Sequence, residues 1–452
     1  MSQMKDCRGL NVTMSGPEAL AAHEKLTNAY LGFRIDTGEC LKAALQADPE
    51  APMHQAMAGY IFHLMALKPM VSRANAASEK ATSLAEKRGN AREKLHAAAL
   101  ARWCLGDITG AADRLEALLL KWPQDVLAIK LAHYLHFYKG DVAEHRDSVA
   151  RVMPAWNCSM PGYSAVLGMR AFGLEEAGHY EEAERIGRQA VELDPEDTWA
   201  IHAVAHVLEM QGRHKEGIAW IERNVDAWDG KIHNFAGHVW WHKALYHLEL
   251  GQYDAVLALY DNRFYSDLSD DGLDIANASS MLTRLRIRGI DIGNRLEELA
   301  GVIIKSKLDE GLLPFNDLHY NLALASAGKL EAKSLSDRMV KDDHQTHWGS
   351  VYREIAGPIS QGLVAYGAGD FKSASQALNR VRYAWSRIGG SHAQRDVFQQ
   401  VLIDAAMKAE DWNLANSLLA ERAALKPNSL ETRRQATKAA IALAGKEQCA
   451  SS

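Results

Sequence analysis

The feature that most constrains this chain is a glycine that recurs at a spacing of about 34 residues. Gly140 lies 34 residues after Gly106, and Gly212 lies 34 residues after Gly178. Glycine permits the left-handed conformation that ends a helix, and this period is typical of tetratricopeptide repeats, each a hairpin of two helices. The sequence therefore predicts an all-α fold, a solenoid of tetratricopeptide-type helical hairpins curled into a right-handed superhelix.

The clearest single repeat spans residues 166–195. Gly178 marks its turn, Ala183 provides the small residue that lets the second helix pack closely, and a proline ends it. Other repeats are degenerate, since Gly217 and His145 stand where alanine is expected. The scarcity of proline, 11 in 452 residues, agrees with a chain that is mostly helical.

We divide the sequence into four segments. Residues 1–90 are expected to form N-terminal capping helices, with an irregular lead-in over residues 7–16. Residues 91–262 are expected to be tetratricopeptide repeats with a histidine-rich concave face, and residues 263–430 C-terminal helical repeats. Residues 431–452 are expected to be the end of the C-terminal helix and a disordered tail.

Composition limits the cellular environment and the classes of partner that can be expected for this chain. The net charge is −6, so nothing favours nucleic acid or an anionic membrane as a partner. The five cysteines are widely spaced and form no Cys-x-x-Cys pair, which indicates free thiols in a reducing compartment. No signal peptide or run of about 18 apolar residues is visible, so the expected location is the cytoplasm.

Counting back from each turn glycine locates the inward face of the first helix in a repeat. Residues ten, six and three before the glycine share one helical face, because they are separated by four and three positions. Before Gly212 these residues are His202, His206 and Glu209. In other repeats the same face, or a position beside it, carries Lys130, Tyr134, Glu175, His238, Trp241, His242, Asp317 and His319.

The histidines on this face admit three interpretations. Two histidines four residues apart can bind one metal ion, so His202, His206, His238 and His242 are candidate ligands of a divalent, zinc-like metal. Without a metal, the same four side chains and Glu209 are candidates for acid–base catalysis, because imidazoles titrate near neutral pH. The third interpretation is structural, since single helix histidines commonly serve packing.

The segment 388–396 is the second candidate region. Ser391 and Gln394 have the spacing of a helix capping box, in which each side chain accepts a backbone N–H of the other residue. The two glycines before them, together with His392 and Arg395, would also suit an anion. We predict that His392 and Arg395 face the same cavity as the histidines.

The connection over residues 226–237 is longer than its counterparts in neighbouring repeats. It carries Trp228, His233 and Phe235. It is either a surface loop held by a hydrophobic anchor or a lid folded over the inward face.

Several longer strings resemble one known family. They are Cys-Arg-Gly at 7–9, Phe-Gly-Leu-Glu-Glu at 172–176, the His-containing helix 199–210, His-Val-Trp-Trp-His at 238–242 and the segment 389–396. Together they resemble the tetratricopeptide repeat protein 38 family over residues 5–430. The resemblance implies an α-solenoid of tetratricopeptide units and no particular chemistry.

Two functions from different classes compete on this evidence. The first is a binding protein that holds a small polar or anionic ligand, or a peptide segment, in a pocket rich in His, Glu and Trp. The second is an enzyme that acts on a small molecule in the same pocket, by acid–base or metal-assisted chemistry. A pure scaffold is a third reading, and a homo-oligomer is compatible with all of them.

Overall fold

This computed structural model describes residues 2–342 and 346–450, and the regular structure in that part of the chain is almost entirely helical. Two short strands come first, β1 (Ser2–Lys5) and β2 (Asn11–Met14). The all-α prediction is confirmed. The helices are α1 (Pro17–Leu31), α2 (Thr37–Ala47), α3 (Pro52–Leu64), α4 (Lys68–Arg88), α5 (Ala91–Cys104), α6 (Ile108–Leu119), α7 (Val126–Lys139), α8 (Val142–Val152), α9 (Tyr163–Glu176), α10 (Tyr180–Leu193), α11 (Thr198–Met210), α12 (His214–Arg223), α13 (Val225–Trp228), α14 (Phe235–Glu249), α15 (Tyr253–Leu259), α16 (Gly272–Ile287), α17 (Arg295–Ser306), α18 (Pro314–Ser326), α19 (Glu331–Val340), α20 (His347–Val351), α21 (Gly357–Gly367), α22 (Phe371–Val381), α23 (His392–Lys408), α24 (Trp412–Leu425) and α25 (Leu430–Ala450).

The chain divides into two compact units. Unit 1 comprises Met1–Val204, Asn224–Phe235 and Thr346–Trp348. Unit 2 comprises Ala205–Arg223, Ala236–Gln345 and Gly349–Ser452. The boundary passes through α11, so His202 belongs to unit 1 and His206 to unit 2. The four segments drawn from the sequence remain predictions.

Consecutive helices pack against each other in pairs within each unit. Examples are α5 with α6 and α9 with α10 in unit 1, and α21 with α22 and α24 with α25 in unit 2. Gly140 ends α7 with a φ of 71°, and its N–H donates to the carbonyl oxygens of His136 and Phe137. A side chain would disfavour this left-handed conformation, so the recurring glycine is a helix terminator, as the spacing predicts.

Close packing between paired helices explains both the recurring pattern of small residues in this chain and its exceptions. Ala183 and Ala374 are completely buried at the expected positions. At Gly217 a Cβ would lie 2.4 Å from the ring of Tyr246, so even alanine would collide there. His145 is buried too, with its Nε2 3.2 Å from Nε2 of His133, so a polar contact replaces the usual close approach.

The N-terminal segment differs from its predicted form. Residues 7–16 are not an irregular lead-in, because β2 pairs in antiparallel register with β1. The Asp6 carboxylate makes the turn by accepting the N–H groups of Arg8 and Leu10, each at 2.9 Å. Both the N–H and the hydroxyl of Thr13 donate to Glu93, at 2.7 and 2.6 Å, and this fastens the strand pair to α5.

The long connection belongs to unit 1 and is anchored there. Trp228 is completely buried, and the ring of Phe235 stacks on Phe33 with centroids 4.5 Å apart. The N–H of His233 donates to the carbonyl oxygen of Phe33 at 2.9 Å. These contacts fit the anchored-loop alternative.

The last helix, α25, continues to Ala450, into the segment expected to be a disordered tail, and residues 451 and 452 lie outside the described residues. In the described ranges we find no helix with the length and apolar character needed to cross a lipid bilayer.

Candidate functional site

Four of the predicted site residues come together in unit 2, on α14 and on the part of α11 that belongs to this unit. The second half of α11 carries His206 and Glu209, and α14 carries His238 and His242 one turn apart. All four side chains are buried, with at most 5% of their surface exposed. The sequence predicted that these groups share an inward polar face, and the structure buries them.

The buried side chains form a chain of polar contacts. Nδ1 of His238 lies 3.0 Å from Oδ1 of Asn277, on α16. Nδ1 of His242 lies 3.3 Å from Oε2 of Glu209, whose Oε1 accepts a hydrogen bond from Nζ of Lys426 at 2.9 Å. The two Nε2 atoms of His238 and His242 face each other at 3.3 Å. Each imidazole thus has an oxygen atom close to its Nδ1.

This orientation has a direct consequence for the facing Nε2 atoms. If each Nδ1 carries the proton that its oxygen partner accepts, each neutral ring presents a lone pair at Nε2. Two lone pairs at 3.3 Å repel unless a cation or a proton lies between them. Zinc binds imidazole nitrogen at about 2.0–2.1 Å, so two ligands of a tetrahedral ion are separated by about 3.3–3.4 Å. The observed separation matches that geometry.

His206 completes a group of three histidines in unit 2. Its ring centroid lies 4.3 Å from that of His242. His206, His238 and His242 each offer a ring nitrogen within 4.8 Å of the others. Three imidazoles converging at this distance are a plausible ligand set for a transition metal.

The protonation equilibria favour the metal-binding form of the rings. Burial lowers the pKa of His206 well below its usual value, and the neighbouring His242 and His238 lower it further. Burial also lowers the pKa of His238, to about 3. For Glu209, burial alone would raise the pKa, but Lys426 and His242 outweigh it and hold the carboxyl below its usual pKa. His206 and His238 are therefore neutral and the Glu209 carboxylate is ionised at neutral pH.

Further buried polar groups surround this cluster. The ring of Trp241 stacks on His238 with centroids 5.2 Å apart, and the guanidinium of Arg284 lies 5.7 Å from the centre of the same indole ring. Nε1 of Trp241, Nδ2 of Asn277 and Oγ1 of Thr283 have no hydrogen-bond partner among the described residues. A buried donor without an acceptor costs about 1–3 kcal/mol, so these groups suit a ligand with acceptor atoms.

Sequence reasoning missed several charged members of this region. Arg422 and Asp396 form a two-pronged ion pair, and Gln400 donates to the same carboxylate at 2.6 Å. Arg284 lies 3.7 Å from Asp396 and donates to the carbonyl oxygen of Ala393 at 2.7 Å. A signal for Arg284 was present in the sequence, because α16 is an arginine-bearing helix with a run of small polar residues (Asn277, Ser279, Ser280, Thr283).

Asp317 and His319, the candidate ligand-binding residues on α18, have partners of their own in unit 2. Asp317 accepts hydrogen bonds from the hydroxyl of Tyr352 at 2.7 Å and from Arg338 at 2.8 Å. Nδ1 of His319 lies 2.8 Å from the carbonyl oxygen of Phe315. These contacts tie both side chains to neighbouring elements rather than to the histidine group.

The second candidate region contains the predicted capping box. The hydroxyl of Ser391 accepts the N–H of Gln394 at 3.3 Å, and Oε1 of Gln394 accepts the N–H of Ser391 at 2.9 Å. Arg395 donates to the carbonyl oxygen of Gly390. His392 adds to the positive field that lowers the pKa of His206, after burial and the other histidines. The anion site predicted at this segment remains a prediction.

The remaining predicted residues lie in unit 1. The ring of His202 is surrounded by the rings of Phe172, Trp199 and Phe235, with centroids 5.1–5.2 Å away. Glu175 is completely buried on α9. Tyr134 is half-buried on α7 and meets Trp199 edge-on at 5.8 Å.

Comparison with known proteins finds structural likenesses at low sequence identity. No family model matches the sequence. Yeast Tom70 is 14% identical, with coverage of 95% of this chain and 96% of that chain and a TM-score of 0.35. Human IFIT1, in a dimer with m7Gppp-AAAA, is 14% identical over 95% of both chains, with a TM-score of 0.41. A Rap protein complexed with competence and sporulation factor is 12% identical, with coverage of 88% and 99% and a TM-score of 0.43.

Proposed function

We propose that this helical-repeat protein binds one divalent metal ion of the zinc class through His206, His238 and His242, and that the site receives a small anionic ligand. The observation that carries the proposal is the facing pair of Nε2 atoms at 3.3 Å, each on a ring whose Nδ1 contacts an oxygen. Carboxylate or amide oxygens bonded to the outer nitrogen are the usual support of metal-binding histidines. Glu209 and Asn277 would have this role.

A metal and a shared proton make different demands on the two rings. A proton between the two Nε2 atoms leaves both rings neutral if the Asn277 amide turns so that its Nδ2 donates to Nδ1 of His238, whereas with Oδ1 at that nitrogen it leaves one ring positively charged. A metal ion instead uses both lone pairs, and the carboxylate of Glu209 offsets part of its charge through His242.

The surroundings favour an anionic ligand at the metal. Four cationic side chains lie in this region of unit 2, Lys426, Arg284, Arg288 and Arg422, against three carboxylates, Glu209, Glu249 and Asp396. The metal would add two positive charges. The unpartnered donors of Trp241 and Asn277 could bind acceptor atoms of such a ligand. A metal would supply Lewis-acid polarisation of the ligand it binds.

Binding is better supported than acid–base catalysis through Glu209. That carboxylate accepts from Lys426 at 2.9 Å and contacts His242, and its pKa is held low. A general base works best with a pKa near the working pH, so Glu209 is suited to orient a ring rather than to take a proton.

The test uses the full chain after removal of metals with a chelator. We expect the protein to take up one equivalent of Co²⁺ or Zn²⁺, with cobalt showing the visible absorption of a tetrahedral complex. His238→Ala and His242→Ala should abolish uptake, while His319→Ala, a buried histidine of the same unit, should not. Equal uptake by all four proteins, or none by the wild type with helical content intact, contradicts the proposal.

Two further experiments identify the ligand at the remaining coordination position of the metal. His202 precedes His206 by one helical turn, and this spacing alone makes it a candidate fourth ligand. If His202→Ala retains tight metal binding, the fourth position belongs to the exogenous ligand. Inorganic phosphate or acetate should then change the cobalt spectrum, whereas a closed four-histidine site would leave it unchanged.

A further inference from the structure

Lys130 lies in an unusual environment in unit 1. It belongs to α7, and only 2% of its surface is exposed. Its Nζ lies 4.4 Å from the centre of the Phe33 ring, 4.9 Å from that of Tyr134 and 4.2 Å from that of Trp199. Aromatic rings are therefore its immediate neighbours. Among residues 2–342 and 346–450, no group accepts a hydrogen bond from this amine.

Asp197 is the charged partner of Lys130 without being bonded to it. It immediately precedes α11 and is 8% exposed. Its Oδ1 accepts the N–H of Ala200 at 3.0 Å, which fixes the carboxyl group. Its Oδ2 has no hydrogen-bond partner in the part of the chain that the structure describes. The Lys130 amine and the Asp197 carboxyl group interact electrostatically, but they lie farther apart than the two groups of an ion pair.

Both groups are displaced toward their neutral forms. Burial lowers the pKa of Lys130 to about 7, although Asp197 opposes the change. Burial raises the pKa of Asp197 to about 6. A solvated lysine is almost wholly protonated at neutral pH and cannot attack a carbonyl group, whereas a buried one retains a reactive free amine.

The rings around the amine are held in place by other contacts. The indole Nε1–H of Trp199 donates to Nε2 of His133 at 3.2 Å. Phe33 stacks on both Trp199 and Phe235, at centroid distances of 5.6 and 4.5 Å, and those two rings contact each other at 5.4 Å. The amine therefore faces flat apolar surfaces whose positions are fixed by other contacts.

We propose that Lys130 is a nucleophilic amine that forms an imine with a small aldehyde or ketone, with Asp197 transferring the protons. The Nζ lone pair attacks the carbonyl carbon, and the carbonyl oxygen takes a proton from the Asp197 carboxyl group. The nitrogen then returns one proton to the carboxylate. Protonation of the hydroxyl by Asp197 breaks the C–O bond and releases water. This step leaves a protonated imine beside the Asp197 carboxylate, so one carbonyl compound is consumed and one water is formed.

A purely structural role would predict different behaviour. A lysine that only fills space contributes nothing that methionine could not, and its amine would be no more reactive than other buried amines. Lys139 provides the comparison, because it lies on the same helix, is 8% exposed and is ion-paired with Asp141 at 2.6 Å.

The experiment traps the imine in the full wild-type chain. The protein is incubated with pyruvate or benzaldehyde and sodium cyanoborohydride, and each lysine is quantified by peptide mass spectrometry. We expect Lys130 to be alkylated at least tenfold faster than Lys139. Its rate should be highest between about pH 6 and 7, because the amine must be neutral and the Asp197 carboxyl group protonated. Labelling of Lys130 no faster than that of Lys139, or only in urea, overturns the proposal.

Two variants separate chemistry from folding. Asp197→Asn should slow the labelling of Lys130 on the order of 100-fold, the usual contribution of a positioned acid–base group. Lys130→Arg keeps the positive charge and should lose the label at this position. Circular dichroism and the labelling of Lys139 should be unchanged in both. Undiminished labelling of Lys130 in Asp197→Asn would remove Asp197 from the mechanism and contradict the proposal as stated.

Discussion

The two buried polar clusters, one in each unit, differ in whether their ionisable groups have close polar partners. In unit 2, His238, His242 and Glu209 each have a directed partner at 2.9–3.3 Å, and the chain ends on Lys426. In unit 1, Lys130 faces aromatic rings, and Asp197 keeps one oxygen without a hydrogen bond. Both clusters occur in the same kind of helical scaffold.

Comparison of the two clusters separates the effect of burial on a pKa from the effect of polar partners. Without a directed partner, burial moves the pKa of Lys130 and Asp197 toward neutrality and leaves reactive atoms available. With partners, Glu209 stays ionised and fixes the orientation of a neighbouring ring. The first arrangement suits covalent chemistry, and the second suits the binding of an ion.

Breaking the bonded cluster should have the largest effect. Lys426→Met leaves the Glu209 carboxylate buried and without its main counter-charge, and we expect a loss of about 3–5 kcal/mol in the free energy of unfolding. Urea denaturation followed by circular dichroism measures the change.

Lys243 supplies the matched control for that prediction. Its side chain is also 13% exposed, but its partner Glu222, at 2.8 Å, is 55% exposed. Lys243→Met should therefore cost less than about 1 kcal/mol. Equal losses in the two variants would show that the Glu209 contact is no stronger than a surface ion pair.

The unbonded cluster should respond in the opposite direction. Lys130→Met removes a buried amine that lacks a hydrogen bond, and we expect a gain of about 1–4 kcal/mol near pH 7. The lowered pKa of Lys130 means that the unfolded state binds more protons between about pH 7 and 10, so wild-type stability rises with pH in that window. The advantage of the variant should shrink accordingly as pH rises. Unfolding curves at pH 7, 8, 9 and 10 test this, and a constant difference would be inconsistent with it.

The orienting role of Glu209 can be measured separately from its charge. Glu209→Gln keeps an oxygen facing Nδ1 of His242 but removes the negative charge. We expect metal affinity to fall about 10–100-fold, equivalent to about 1.4–2.7 kcal/mol. Competition with a chelator gives the dissociation constant. An unchanged dissociation constant would mean that Glu209 does not support metal binding by His242.

The smallest effects should come from two capping boxes, one in each unit. Ser391→Ala removes only the cap of α23 and should cost about 1 kcal/mol. Asn90→Ala should cost more, because the Asn90 amide also donates to the carbonyl oxygen of Asn11 at 3.0 Å and so joins α5 to β2. Thermal denaturation of the two variants makes the comparison, and a larger loss for Ser391→Ala would reverse it.

Local sequence patterns revealed the helices and half of the unit 2 cluster. His206 and Glu209 share a face by helical spacing, and His238 and His242 repeat the spacing in the next hairpin, so their meeting was predictable. Asn277 and Lys426 were not predictable, because a helical period does not say which distant helix will cover a given face. Their partners lie 39 and 217 residues away in sequence.

The same reason explains why the N-terminal segment differed most from its prediction. The strand pair there depends on Glu93, which lies 80 residues beyond Thr13 and leaves no local trace. The complete burial of His206 and His242 also depends on helices that are distant in sequence.

The contact between Glu209 and Lys426 can form only late in the synthesis of the chain. Lys426 leaves the ribosome 217 residues after Glu209, which at about 5–20 residues per second is a delay of roughly 10–40 s. During that interval Glu209 has no ammonium partner, and His242 is oriented only by a carboxylate that water still competes for. A metal ion captured early would therefore meet a looser set of ligands than one captured after release, and its insertion into unit 2 should be mainly a post-translational event.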